Sequence, residues 1–285
     1  LKTGGTGKTP LIEYLINLFD SKKIAILSRG YGRKTRGFIL ANKKINSGTE
    51  IGDENSQLYH KFNNIHVACD NNRVNGVKKL LDKDIEIILL DDAYQHRAIH
   101  RDINILLSEY DRLFIHDSLL PIGALREHIQ EKKRAHIIIV TKCPKKISID
   151  KKISIKKKLC LNENQKLYFS HIKDYSFINM STLKKHTLNL KEKHILVTGI
   201  ENPQKLLIFL SENNIDFKHL NFKDHYNFQA NDIERIIQLK KNNKYANELL
   251  LTEKDYYRLT KKDKLKLKKY FAMICIQMQI DFNPA

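Results

Sequence analysis

Thr3-Gly4-Gly5-Thr6-Gly7-Lys8-Thr9-Pro10 stands almost at the start of the chain, and Leu11 to Phe19 follow it with apolar residues at 11, 12, 15, 16 and 19. Spacings of three and four predict a helix, so the glycine-rich run becomes the loop at a helix N-terminus, where free N–H groups and the helix dipole favour anions. Glycines without a Cβ let backbone N–H groups turn inward around phosphate oxygens. Lys8 adds a point charge for β/γ-phosphates, and the Thr9 hydroxyl suits Mg²⁺. The segment from Lys2 through Thr3, Gly4, Gly5, Thr6, Gly7 and Lys8 to Thr9 is therefore the candidate ATP-binding loop. The match covers the second half of the motif, because Lys2 stands where the first glycine belongs. The strand that should precede such a loop is not in the sequence, nor is an initiator methionine. A truncated N-terminus is the expectation.

Outward from the loop, short apolar runs alternate with helical patterns: Ile24–Leu27, His66–Cys69 after a helical stretch near Gln57–Phe62, Ile85–Leu90, Ile103–Leu107 and Ile137–Val140. Such alternation predicts an α/β fold of the P-loop type, a mostly parallel sheet with helices on both faces. From about Cys143 to Lys193 the sequence is lysine-rich and weakly periodic, with charge-dense stretches at 145–158 and 184–193 that read as solvated faces. Ile195–Thr198 then opens a second unit, with helices near 203–213 and 230–241 and strands at Glu248–Leu251 and Phe271–Gln277. The expected organisation is a phosphate-binding domain over 1–165, a connector over 166–189, and a smaller α/β domain over 190–285.

The bulk numbers bound the class. A hydrophobic share of 41% is enough for buried cores. The four cysteines are scattered without a C-x-x-C pair, so reduced core residues are expected, not a disulfide frame or zinc site. No run of 18 apolar residues exists to span a membrane. The formal net charge of +19 favours anionic surfaces and phosphorylated ligands. Lysine is spread through the chain without an aromatic-interleaved face or a recognisable nucleic-acid motif, which argues against a nucleic-acid module.

In parallel sheets ligands bind beyond the carboxyl ends of strands. After Ile87–Leu90 come Asp91-Asp92-Ala93-Tyr94-Gln95-His96-Arg97, an apolar strand ending in aspartate that can present a carboxylate to the metal held by Thr9. The alternative is a simple N-cap aspartate. His96 and His100, four apart, lack a third zinc ligand nearby. After Ile24–Leu27 come Ser28-Arg29-Gly30-Tyr31-Gly32-Arg33, whose arginines suit bidentate phosphate contacts. Gly52-Asp53-Glu54, Leu125-Arg126-Glu127 and Asp224-His225-Tyr226 carry less meaning individually.

Taken in order, these segments resemble one family, the tetraacyldisaccharide 4′-kinases of lipid A biosynthesis. The resemblance rests on Gly4 to Pro10, Ser28 to Arg33, Gly52-Asp53-Glu54, Asp91-Asp92 with Gln95-His96-Arg97, and Leu120-Pro121 with Leu125-Arg126-Glu127. Gly199 with Asn202-Pro203, Asp224-His225 and Thr252-Glu253-Lys254-Asp255 extend it through the second half. Asn55 and His128 replace usual prolines and Ala93 a usual glycine, which alters loop stiffness without removing a reacting group.

The resemblance implies transfer of the ATP γ-phosphoryl group to the 4′-hydroxyl of a tetraacylated glucosamine disaccharide 1-phosphate. It further implies Mg²⁺ held by Thr9 and Asp91 with Asp92 and supported by Gln95. Asp53 would be the base, with His225 reaching across from the second domain. Arg29, Arg33 and Arg126 would meet the substrate. A monomer at the cytoplasmic face of the inner membrane is implied, with a membrane-seating N-terminal helix outside this sequence. The competing expectation is another P-loop kinase or a GTPase on a soluble substrate. A GTPase would need an Asn-Lys-x-Asp guanine motif, and Thr141-Lys142-Cys143 is the nearest approach.

Overall fold

The computed structural model of the chain describes residues 5–224, 226–241 and 247–283. In chain order its elements are α1 (Lys8–Leu18), β1 (Ile24–Ser28), β2 (Ile39–Leu40), α2 (Gly48–Ile51), α3 (Asp53–Lys61), β3 (Ile65–Cys69), α4 (Arg73–Leu81), β4 (Ile87–Leu90), β5 (Ile105–Glu109), β6 (Ile137–Cys143) and α5 (Ile149–Leu159). There follow β7 (Lys166–Asn179), β8 (Lys184–Lys185), β9 (His194–Thr198), α6 (Gln204–Glu212), β10 (Phe217–Asn221), α7 (Ala230–Lys241), β11 (Glu248–Thr252), α8 (Glu253–Arg258), α9 (Lys261–Lys268) and β12 (Ala272–Phe282).

These strands form two sheets. The first runs β2-β3-β1-β4, with β1 parallel to β3 and β4 and β2 antiparallel at the edge. All five residues of β1 are buried. Ile24 and Ile26 pack on one face with Ile12 and Ile16 of α1 and Leu58 of α3. Ala25 and Leu27 pack on the other with Leu80 of α4. A strand buried at every position has no solvent face to offer, so helices must cover both sides.

The second sheet runs β10-β9-β11-β12-β7-β6-β5, with β8 beside β7. It joins two parallel runs at one antiparallel pairing, β12 with β7. Ile195, Leu249, Leu251 and Met273 bury against Ile233, Ile236 and Ile237 of α7. Their strand neighbours Leu196, Leu250 and Ile274 bury against Leu206 and Leu210 of α6. The expected α/β class with helices on both faces is what the chain adopts.

The stretch 166–189, expected to be a connector, departs from the reading. It holds β7, whose 14 residues pair with both β6 and β12. The expected boundary between a unit over 1–165 and one over 190–285 thus falls inside a continuous sheet. Only Phe169 and Ser170 are fully buried along β7. A half-exposed strand can carry lysine, aspartate and serine, which is why its period-two signal is faint.

Helix α1 is apolar on two sides. Ile12 and Ile16 face the first sheet, while Leu11 and Leu15 pack with Leu107 of β5, Ile139 of β6 and Ile280 and Phe282 of β12. Tyr14 meets Phe282 edge to face with ring centroids 4.9 Å apart. Among the described residues no helix is long and apolar enough to cross a membrane. Cys69, Cys143 and Cys275 are buried and Cys160 is exposed, all as free thiols.

Candidate active site

Gly7 caps α1 at φ 89°, a left-handed conformation that costs a side-chain-bearing residue strain and glycine little. The Thr6 carbonyl accepts a hydrogen bond from the Thr141 hydroxyl at 2.9 Å, which fixes the loop to the end of β6. Lys2, Thr3 and Gly4 lie outside the described residues. Gly5, Thr6, Gly7, Lys8 and Thr9 form the loop and first turn, as their spacing requires.

Carboxylates crowd the mouth of this loop. The Thr9 hydroxyl donates to Glu54 Oε1 at 3.0 Å. Lys8 Nζ stands 3.6 Å from Asp92 Oδ1, and Arg126 donates to Asp92 Oδ2 at 2.6 Å. Burial opposes the Asp92 ion, yet Lys8 and Arg126 together hold its carboxyl below the usual range. Asp91, beyond the end of β4, goes the other way. Burial and then the neighbouring Glu54 charge push it up to about 7. A buried carboxyl with a raised pKa beside a second carboxylate and a threonine hydroxyl is a donor set suited to a hard cation. Among the described residues no three His, Cys, Asp or Glu side chains form a ready-made cage. Mg²⁺ typically takes one or two protein oxygens together with phosphates and waters, so the site fits it.

Asp53 opens α3 directly before Glu54. Gly52 before it has φ 92° and ψ 152°, and a Cβ there would come within 3.0 Å of the Gly30 backbone. Two glycines thus let the Ser28–Arg33 turn pass against the Gly52-Asp53-Glu54 turn. Asp53 is buried, and Arg258 Nε donates to its Oδ2 at 2.8 Å. The same guanidinium donates to the Gly199 carbonyl and stands 3.8 Å from Asp224 Oδ1. His225 lies outside the described residues.

The other expected site residues divide. Arg126 stands at the loop mouth, and Arg29 is exposed beside the Gly30 turn. Arg33 does not face the cleft: it donates to Cys69 Sγ at 2.9 Å and to the Gly37 carbonyl at 2.9 Å, bracing its own turn. Gln95 donates to Glu127 Oε2 at 3.1 Å, and Glu127 pairs in turn with Arg134 at 2.6 Å. The Gln95 Nε2 is thus engaged with that carboxylate. His96 and His100 join no ligand cluster among the described residues.

Sequence reasoning missed Glu54, Arg73 and Arg258 as site residues. Arg73, 2% exposed at the start of α4, brings a buried guanidinium whose field acts on Asp91 and Asp92. Its signal in the sequence was an arginine just after the strand end Cys69-Asp70, a position where ligands gather. Arg258 had a fainter one: four charged residues within the six of α8, more than a short solvated turn requires.

Comparison with known proteins decides the family. The family model for tetraacyldisaccharide-1-P 4′-kinase matches residues 1–285. This chain belongs to the tetraacyldisaccharide-1-P 4′-kinase family. It is 43% identical over 280 residues to the tetraacyldisaccharide 4′-kinase of Flavobacterium johnsoniae, covering 96% of this chain and 79% of that protein. With the Flavobacterium psychrophilum protein of the same name the identity is 45% over 271 residues, covering 92% and 76%. A crystal structure of the Aquifex aeolicus family member LpxK, an "apo" form in complex with ATP, superposes with a TM-score of 0.72 at 25% identity, covering 99% of this chain and 82% of that one.

The residues that mark the tetraacyldisaccharide-1-P 4′-kinase family late in this sequence, Thr252-Glu253-Lys254-Asp255, reach back to the loop wall. Lys254 donates to Glu54, and Asp255 accepts from the Gly199 amide at 3.0 Å. Glu253 accepts from Lys61 of α3 at 3.0 Å and from Gln277 of β12 at 2.8 Å. Lys61 also pairs with Glu13 of α1 at 2.8 Å. This polar seam ties α1, α3, α8 and β12 together.

Burial, together with Glu13, pushes Glu253 up to about 7. A raised acid pKa means the folded chain keeps a proton that the unfolded chain has released, so stability falls as pH rises from about 4.5 through about 7. Glu253→Gln should flatten that fall. The wild type is expected to lose roughly 1–2 kcal/mol more than the variant between pH 5 and pH 8 in urea denaturation. Parallel pH profiles would refute this account of the seam.

Proposed function

We propose that the chain transfers the γ-phosphoryl group of ATP to the 4′-hydroxyl of a tetraacylated glucosamine disaccharide 1-phosphate. It would act as a monomer against the anionic cytoplasmic face of the inner membrane. The observation that carries this reading is the meeting of the loop residues Lys8 and Thr9 with Asp92, Arg126 and Glu54, the buried Asp53 standing directly before Glu54. No observation favours the alternative of a soluble acceptor.

Phosphoryl transfer passes through a loose transition state, so positioning and charge neutralisation do most of the work. The loop amides from Gly5 to Thr9 wrap the phosphates, and Lys8 gives up its pairing with Asp92 to meet the β/γ oxygens. The Thr9 hydroxyl and the Asp91 carboxylate, with Asp92 beside it, would hold Mg²⁺, whose charge would offset that of the phosphate oxygens. Asp53 accepts the proton of the sugar hydroxyl, and the role proposed for His225 is to orient or tune that base. Arg126, and Arg29 at the neighbouring turn, receive the substrate's anionic and sugar groups.

Arg258 is a positioning residue in this scheme, because it touches Asp53 and not the substrate. A misplacement of about 1 Å can cost 10²-fold in rate. Arg258→Ala is therefore expected to lower turnover by roughly 10–10² with the KM for ATP unchanged, and Arg258→Lys to restore part of it. An Arg258→Ala enzyme of ordinary turnover would remove it from the scheme. The reading as a whole is tested by supplying ATP, Mg²⁺ and the disaccharide 1-phosphate lipid and looking for the 4′-phosphorylated product. Turnover on another acceptor with none on the lipid would overturn it.

A further inference from the structure

We propose that the loop Asp117–Leu125 is a wedge that enters the surface of an anionic bilayer and sets the height of the site above it. The inference rests on the lipid-kinase reading and adds the part of the molecule that touches the membrane.

Three large apolar side chains crowd the tip of this loop: Leu119 is 44% exposed, Leu120 54% and Ile122 90%. The stems on either side are firmly held, since Leu113, Phe114 and Leu125 are buried in one core cluster. Between them the backbone closes on itself. Leu120 N–H donates to the Leu125 carbonyl at 2.9 Å, Gly123 N–H to the Leu119 carbonyl at 3.0 Å and Leu125 N–H to the Ser118 carbonyl at 3.0 Å. Asp117 Oδ1 accepts from the amides of Ser118 and Ala124 at 3.0 and 3.1 Å. Pro121 has no N–H to satisfy.

The turn is also tight: a Cβ on Gly123 would lie 2.2 Å from the Ser118 carbonyl oxygen. Such a ring does not fold its leucines back into the protein. It displays them, while spending its own polar groups internally, which is what entry into a region poor in water demands.

The charge around the tip selects the partner. The one carboxylate within the ring, Asp117, pairs with Arg112 at 3.2 Å, and Arg126 leaves the other stem. The neighbouring carboxylates Asp111 and Glu127 are likewise paired, with Lys205 at 3.7 Å and Arg134 at 2.6 Å. The flanks therefore present ion pairs and not bare carboxylates, and an apolar tip on a chain of net charge +19 suits a negatively charged lipid surface. Arg126 also pairs with Asp92, which lies 3.6 Å from Lys8. The residue after the wedge's buried anchor is thus part of the phosphate site. A lipid can present its sugar there while its acyl chains stay in the bilayer beside Leu120 and Ile122.

The chain has no tryptophan, so Ile122→Trp installs a single reporter at the tip. With phosphatidylglycerol vesicles carrying brominated acyl chains, its emission is expected to shift to the blue and be quenched, and less so with pure phosphatidylcholine. An emission unchanged by vesicles would overturn the proposal. So would a shift that appears without vesicles as protein concentration rises, since a second copy would then cover the tip.

The double variant Leu120→Ser, Ile122→Ser should bind the vesicles at least about 10-fold more weakly. Its KM for the lipid presented in vesicles should rise by a similar factor, while the KM for ATP is unchanged. Unaltered vesicle binding in that variant would also refute the wedge. Partitioning is read without turnover, so the two readings fail separately. A chain that partitions but phosphorylates no lipid loses the proposed function and keeps the wedge.

Discussion

Lys8→Ala is expected to lower phosphoryl transfer by at least about 10³-fold, the upper range for deleting one preorganised cationic or hydrogen-bonding group from a site of developing charge. Lys8 holds Asp92 at 3.6 Å and is one of two cations that keep that carboxyl ionised, the other being Arg126. Without it, the loop faces the phosphates with amide dipoles alone, and Asp92 repels them. The fold should survive, because the Lys8 side chain is 26% exposed and belongs to no apolar cluster. Unchanged circular dichroism alongside lost turnover is the expected pair of results. A variant within 10-fold of wild type would show that the loop does not bind the transferred group.

Asp53→Asn comes next in size, with turnover cut by roughly 10²–10⁴ if the carboxylate takes the hydroxyl proton. The amide keeps an oxygen in place for Arg258 Nε, which now donates to Asp53 Oδ2 at 2.8 Å, so the wall is not dismantled. What disappears is the capacity to accept a proton. The KM for ATP should hold, since the contacts of the loop itself, Thr9 donating to Glu54 and Lys8 beside Asp92, are left unaltered. Measuring kcat and the KM for ATP separately distinguishes a lost base from a damaged nucleotide site. Near-normal kcat would end the assignment.

The Arg258 guanidinium fixes the Asp53 carboxylate in place, with Nε donating to Oδ2 at 2.8 Å. In a loose transition state the proton leaves late, so placement matters more than basicity. That is why Arg258 is a sensible neighbour and not a contradiction.

The phosphate loop was legible because its meaning is local. Gly7-Lys8-Thr9 and the spacing of Leu11 to Phe19 lie within a dozen residues, and β4 with Asp91-Asp92 is a strand and its end. Asp53 became meaningful only through family resemblance, since a Gly-Asp-Glu triplet has a default reading as a helix start. Arg258 and Lys254 were hidden because their partners Asp53 and Glu54 lie some 200 residues away in sequence. No periodicity encodes such a contact. β7 was lost for a different reason: its mixed burial lets polar residues stand where alternation should show. Arg33 shows the converse difficulty, an arginine of the right type in the right turn whose Nη1 and Nη2 donate to Cys69 and Gly37.

The double packing of α1 has a consequence for how the enzyme is made. Its Tyr14 rests on Phe282, so the helix that begins the nucleotide site leans on a strand that is synthesised long after it. Helix α1 must therefore wait for that later strand before it finds its second wall. Loss of β12 alone would then disable the phosphate loop without removing a single residue that touches phosphate.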